Sequence, residues 1–247
     1  MLIPSQSWGE DIAIDSSFIK NNLNDINKNI AHCKTKIIAV TKYFGLKSII
    51  AGYEAGIRDF AESRAKEGSE KINSLPDEVK NNSNFHFIGH LQTNKVKYIA
   101  PYISMIEAVD SLRLLREIDR QAAKHNRVID VLLELHIAEE ETKYGLTFDA
   151  CRELLAGGEW RTMEHIRICG LMMMASFVDD TEQIRCEMLS ASHFFDEVKQ
   201  QYFADEASFK ERSWGMSHDF PIAVQCHSTM VRVGTTIFGP RIYGKDG

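Results

Sequence analysis

KIIAVTKYF, residues 36–44, is the segment on which the reading of this chain turns. Ile37 to Thr41 are apolar or β-branched, as a short buried strand requires, and the run then ends on a lysine, Lys42. Seven further runs share that texture: DFAE (59–62), NFHFIG (84–89), MIEAVD (105–110), DVLLELHI (130–137), IRICGLMMMA (166–175), RSWGMS (212–217) and MVRVGTTIFG (230–239). Between them lie stretches with helical spacing, such as LKSIIAGYEAG and SLRLLREIDRQAAKHN. Gly56 and Asn126 stand where helix C-termini want them. Eight strands alternating with helices call for an all-parallel sheet. That count within 247 residues favours an α/β fold closed as a (β/α)8 TIM barrel. A doubly wound open sheet is the alternative. It more often carries a glycine-rich turn after its first strand, and TKYFGLKS is not one. An extra helix at about 10–33 precedes the first strand. One domain is expected over 1–247, with the barrel at about 36–244.

Hydrophobic residues make up 44% of the chain and charged residues 26%, with a formal net charge of -6. A nucleic-acid surface would show a basic excess, so nucleic acid is not an expected partner. A local basic pocket for one small anion is compatible with this balance. No apolar run is long enough for a membrane span. The start, MLIPSQSWGEDIAIDSSF, lacks the basic and then apolar segments of a signal peptide. The five cysteines (Cys33, Cys151, Cys169, Cys186, Cys226) are odd in number and without C-x-x-C spacing. That argues against a disulfide framework or a zinc site, and a cytoplasmic setting is the simplest expectation.

Barrels gather function at the C-terminal ends of their strands. Here those ends are Lys42, Glu62, His90, Asp110, His136, Met174, Ser217 and Gly234-Thr235. Phosphate commonly sits on the loops after the seventh and eighth strands. GMS ends the seventh run and GTT lies in the eighth. Small residues there let backbone N–H groups approach an anion, and hydroxyls add donors; ordinary turn residues would read the same way. Arg232 shares a strand face with Gly234 and points inward, where a guanidinium needs acceptors. The acceptor is either a barrel carboxylate, such as Glu62 or Glu134, or a ligand. Lys42 either extends its amine to solvent or offers a desolvated amine for Schiff-base chemistry. An aldehyde bearing a phosphate and a ring nitrogen would satisfy the lysine, the arginine and the small-residue loops together. Pyridoxal 5'-phosphate (PLP) is such a molecule. His86 and His90 lie four apart on one strand face, but no third ligand has metal-site spacing, so no metal is assigned. Met172, Met173 and Met174 read as core packing. EEETKYG reads as a solvated loop, with Lys143 near the mouth.

AVTKYF, FHFIGHLQTNK, HIAEEETKYGL, GLMMMAS, WGMSHDFPIAV and STMVRVGTTIFGPRIYG follow one another between about residues 36 and 244. Together they resemble the pyridoxal phosphate homeostasis protein family (YggS/PROSC type). The resemblance implies a barrel similar to the N-terminal domain of alanine racemase, of the PLP fold type III kind. It implies that Lys42 holds PLP as a Schiff base and that Ser217, Gly234 and Thr235 bind the phosphate. It further implies that Arg232 faces the pyridine nitrogen and that Met216 lies against the cofactor. Three positions depart from the family pattern. Ser63 stands where an asparagine is usual near the cofactor. His227 replaces a glycine before Ser-Thr-Met, beside the expected phosphate loop. Ser176 replaces a common proline after the sixth strand.

A guanidinium opposite the ring nitrogen can only donate, which favours an unprotonated ring and a weak electron sink. Racemases of this shape draw a second acid–base residue from an added β-domain and a partner subunit. Here RIYGKDG follows the last strand directly, so no second base is expected. The resemblance therefore implies a cytoplasmic PLP-binding protein, a monomer or weak dimer, with little or no turnover. It would buffer PLP or deliver it to PLP-dependent apo-enzymes, affecting amino-acid and keto-acid balance. An amino-acid racemase using Lys42 as one base is the alternative, and a cofactor-free Schiff-base aldolase is a third.

Overall fold

A computed structural model describes residues 15–30, 33–137 and 144–240. Its strands are β1 Lys36–Val40, β2 Asp59–Glu62, β3 Asn84–Phe87, β4 Met105–Val109, β5 Ile129–Leu135, β6 Ile166–Met173, β7 Glu211–Met216 and β8 Met230–Val233. Each pairs in parallel with its neighbour in the chain, and β8 pairs with β1 to close a barrel. The expected runs match these strands. The eighth differs: the strand stops at Val233, and Thr235–Phe238 form a helical turn. Ile237 and Phe238 are buried there, so the same apolar residues serve a turn that packs on the barrel's outside.

Helices join successive strands, and local chemistry marks their ends. Ser111 and Thr147 accept the Leu114 and Ala150 N–H groups, and Asp180 accepts from Glu182 and Gln183. Gly56 and Asn126 follow their helices in left-handed conformation, with φ of 100° and 50°. The helix after β8 is only four residues long. The opening helix, Ser16–Ile30, lies against it, burying Ile19, Ile26 and Ile30. Asn22 Nδ2 donates to the Ile237 carbonyl at 2.9 Å. Of the helix expected at 10–33, residues 10–14 and 31–32 lie outside the described residues.

Alternation along the strands divides the apolar residues into two sets. The larger lies between the sheet and the helices. The smaller, which includes Ile38, Val40, Ala61, Leu132, Met172 and Met230, fills the barrel. Register shifts interrupt the alternation on β4, between β5 and β6, and on β7. Each leaves one strand a residue longer than its partner, as a β-bulge does. On β7, Gly215 takes φ 98°, and a Cβ there would stand 2.5 Å from the Ala223 Cβ. Only glycine fits, and the bulge brings Met216 level with Arg232 of β8.

Candidate functional site

A cavity of about 780 Å³ opens at the C-terminal ends of the strands. Val40, Ile88, Met174 and Met216 give it apolar walls, and Lys42, Ser217, Arg232, Gly234 and Thr235 supply its polar groups. Its size and mixture suit a small ligand with an apolar body and polar ends.

Lys42 follows β1 in a turn whose next residue, Tyr43, has φ 71°. An aromatic side chain adopts that conformation at a cost, and surrounding bonds must hold it. Behind the turn, Thr41 N donates to the Ala61 carbonyl at 3.0 Å. Thr41 Oγ1 donates to Glu62 Oε1 at 2.6 Å, and Lys71 Nζ donates to the Thr41 carbonyl at 3.1 Å. On the outer side, the Arg64 guanidinium lies 4.9 Å from the centre of the Tyr43 ring. The lysine thus stands on a fastened base, at the rim of a strand whose other inward residues are Ile38 and Val40.

Across the mouth, Ser217 Oγ accepts the Gly234 N–H at 3.2 Å, which draws the loops after β7 and β8 together. Asp219 Oδ1 accepts the Met216 N–H at 2.5 Å and braces the β7 loop. A Cβ at Gly234 would lie 3.2 Å from the Val40 carbonyl oxygen, so a small residue lets β8 close against β1 here. Phe177, 78% exposed, projects at the rim beside His218, with ring centres 5.0 Å apart.

Arg232 is buried. Its Nη1 donates to the Ser213 carbonyl and to Ser213 Oγ, both at 2.6 Å, and Nη2 donates to the Met173 carbonyl at 2.8 Å. Its nearest carboxylate is Glu107, at 3.8 Å. Neither carboxylate expected from the sequence, Glu62 or Glu134, pairs with it. Glu62 points out of the barrel to Lys71, 2.7 Å away. Glu134 faces inward, but its Oε2 makes no hydrogen bond. Burial, reinforced by the negative charge of Asp110, holds the Glu134 carboxyl up at about 7.

A family model described as the alanine racemase N-terminal domain matches residues 14–241. The chain is 33% identical to the pyridoxal phosphate homeostasis protein of Aquifex aeolicus (strain VF5), over 84% of this chain and 88% of that one. It is 31% identical to the protein of the same name from Pasteurella multocida (strain Pm70), over 92% and 99%. The chain belongs to the pyridoxal phosphate homeostasis family. Two solved structures of PipY from Synechococcus elongatus PCC7942 agree with the fold of this family member. The one without PLP gives a TM-score of 0.82 and the one with PLP bound 0.78. Both are 28% identical and cover 90% of this chain and 100% of that one. An alanine racemase from Clostridium difficile 630 gives 0.69 at 17% identity, which bears on the fold alone. The homeostasis-family chain covers 59% of that racemase.

Six of the seven site residues read from the sequence meet in one cavity of this homeostasis-family barrel: Lys42, Met216, Ser217, Arg232, Gly234 and Thr235. Ser63 does not join them. It lines a neighbouring cavity of about 500 Å³ with Arg64, His90 and Lys95. His227 also departs from its expected place beside the phosphate loop. It precedes β8, at the opposite end of the barrel, with φ 64°. That conformation is the reason a glycine suits the position. Ser176 is buried, and its N–H and hydroxyl each donate to Glu187 at 2.7 Å. A proline there could not donate the first bond.

His86 lies on β3 and His90 in the loop that follows it, so the two separate. The first turns into the barrel toward Glu107, and the second pairs with Asp110 at 3.3 Å and stacks on Tyr144. Among the described residues, no group of three His, Cys, Asp or Glu side chains could hold a metal, and no helix is long and apolar enough to cross a membrane. Met172 and Met173 are buried, whereas Met174 lines the cavity. Lys143 lies outside the described residues. Sequence reasoning missed Glu107 and Ser213, the two side chains beneath Arg232. A charged residue in the apolar run MIEAVD was the available signal for the first.

Proposed function

We propose that this chain is a PLP-binding protein of PLP homeostasis, holding the cofactor through Lys42 and buffering it or passing it to apo-enzymes. The observation that carries this reading is the meeting in one cavity of a lysine from the β1 end with an arginine and small-residue loops from β7 and β8. The groups fit the molecule. The Lys42 amine suits an aldehyde, forming a Schiff base with loss of water. Ser217, Gly234 and Thr235 offer hydroxyl and backbone donors of the kind a phosphate takes. Val40, Ile88, Met174 and Met216 suit the faces of an aromatic ring. When bound, PLP supplies an electron sink. Arg232 would offer a ring nitrogen a guanidinium in place of an acid, which would keep that sink weak and favour storage over turnover. The names of the relatives and the PipY structure with PLP support the same reading.

The test is the visible spectrum after incubation with PLP, for wild type and Lys42→Ala, followed by borohydride reduction and peptide mass mapping. A yellow band in wild type, lost in the variant and mapped to Lys42, is the expected result. A colourless wild type with no reducible adduct would refute the reading. Formation of D-amino acids from L-amino acids would favour a racemase instead. Transfer to an apo-enzyme without such turnover would favour the carrier.

A further inference from the structure

Beneath the cavity, the barrel interior holds charged groups that its lining does not use. His86 Nδ1 lies 2.8 Å from Glu107 Oε1, and His86 Nε2 lies 3.5 Å from Asp59 Oδ1. Ser213 Oγ donates to Glu107 Oε2 at 2.6 Å and accepts from Arg232 Nη1 at the same distance. These contacts form a file through the barrel: Asp59 of β2, His86 of β3, Glu107 of β4, Ser213 of β7, Arg232 of β8. It begins near the N-terminal ends of the strands and finishes at the cavity. His86, Glu107, Ser213 and Arg232 are each at least nine-tenths buried.

Buried charge is tolerated only when it is paired and hydrogen-bonded. Burial opposes an imidazolium at His86, but the bonds to Asp59 and Glu107 outweigh it and hold the ring at about 9. Burial likewise opposes the Glu107 carboxylate, and His86, with Arg232 and Ser213, holds it below the usual carboxylate range. At neutral pH the four ionised groups thus alternate in sign and sum to zero. Other charged groups face the file from the remaining strands. Lys36 of β1 lies 3.5 Å from Asp59. Asp130 of β5 pairs with Arg167 of β6 at 2.7 Å. Glu134 of β5 lies within electrostatic reach of Arg232.

We propose that His86 and Glu107 are positioning residues for Arg232, fixing through Ser213 where its guanidinium stands at the floor of the ligand cavity. An arginine side chain is long and loses much rotamer freedom when held. The file supplies one of its three acceptors, the Ser213 hydroxyl, whose own proton goes to Glu107, and Glu107 is compensated by His86 and His86 in turn by Asp59. With no carboxylate bonded to it directly, the guanidinium would be left to meet a ring nitrogen of the ligand. The ligand half of this proposal rests on the reading that the cavity holds PLP.

The test is a double-mutant cycle on PLP dissociation. Ser213→Ala is the mild variant, since it removes only the bridging hydroxyl; His86→Gln is the stronger one. Each should weaken PLP binding about tenfold in wild type, but less than about twofold when Arg232 is already lysine. Equal losses in both backgrounds would overturn the proposal, because a merely structural role would produce them. A second readout needs no ligand. In the NMR spectrum of the PLP-free protein, Arg232→Gln should shift the His86 ring resonances and their titration, although the two side chains do not touch. An unmoved His86 ring would overturn the coupling whether or not PLP binds. A wild type that takes up no PLP would refute the proposed function and leave the ring titration to judge the coupling.

Discussion

Lys71 Nζ donates to Glu62 Oε1 at 2.7 Å, and both side chains are shut away from solvent. The same amine holds the Thr41 carbonyl, so the pair fastens the peptide that leads into Lys42. Lys71→Met leaves a buried carboxylate without its partner, which costs about 3–5 kcal/mol in comparable cases. Denaturant unfolding should show a loss of that size. Adding Glu62→Leu should recover much of it, because two apolar side chains leave no stranded charge. PLP uptake at Lys42 should be weaker in the single variant than in Glu67→Gln on the neighbouring surface.

Glu134 gives the stability a pH dependence of its own. Its carboxyl is held at about 7 in the folded chain, against 4.5 as the ordinary value. Between those pH values the folded chain keeps a proton that the unfolded chain releases. Stability therefore falls as pH rises through this window. Glu134→Gln removes that titration. The stability of the variant minus that of wild type should rise between pH 4.5 and pH 7, by up to roughly 3 kcal/mol. A difference that stays flat from pH 4 to 8 would show that the carboxyl titrates normally.

The paired bonds from Ser176 to Glu187 tie the loop after β6 to the helix Thr181–Tyr202. Ser176→Pro removes both donors and leaves Glu187 with the Gln183 amide, 3.1 Å away. Bonds to a charged acceptor are worth about 1.5–3 kcal/mol each, so a loss of about 3 kcal/mol is expected. In a chain of this size that lowers Tm by roughly 6–12 °C. Ser176→Ala, which keeps the N–H, should lose about half as much.

His227 pays for a left-handed backbone at φ 64°. His227→Gly relieves that strain and loosens the unfolded chain, two effects that partly offset. A net gain of up to about 1 kcal/mol is expected. Because the residue lies at the barrel end away from Lys42, PLP affinity should not change. Weaker PLP binding in this variant would contradict the placement.

The barrel was legible because its strands are buried on both faces. Continuous runs such as KIIAV and DVLLEL need no register to be recognised. Lys42, Ser217, Gly234 and Thr235 were legible for a related reason, since they stand at strand ends where position alone suggests a role. What escaped was how the interior groups pair. Alternation alone turns Glu107 inward with Met105, but only the closure of the barrel brings it beside Ser213 of β7. Arg232 faces inward as its strand position predicts, but its nearest carboxylate is Glu107 rather than Glu62 or Glu134. His227 is a simpler case, because position in a motif fixes order along the chain, whereas distance to a cavity depends on which end of the barrel a loop leaves. Ser63 leaves β2 at the same end as Lys42 and lines the adjoining cavity.

The closing pair of strands, β8 on β1, also sets a timetable. Lys42 lies near the start of the chain, and Arg232, Gly234 and Thr235 lie near its end. A ribosome that has released only the first seven strands presents a lysine with no opposite wall. The ring must then close across almost its whole length, the kind of non-local contact that forms late. On this architecture a nascent chain that stops short of β8 lacks Arg232, Gly234 and Thr235, and with them one wall of the cavity.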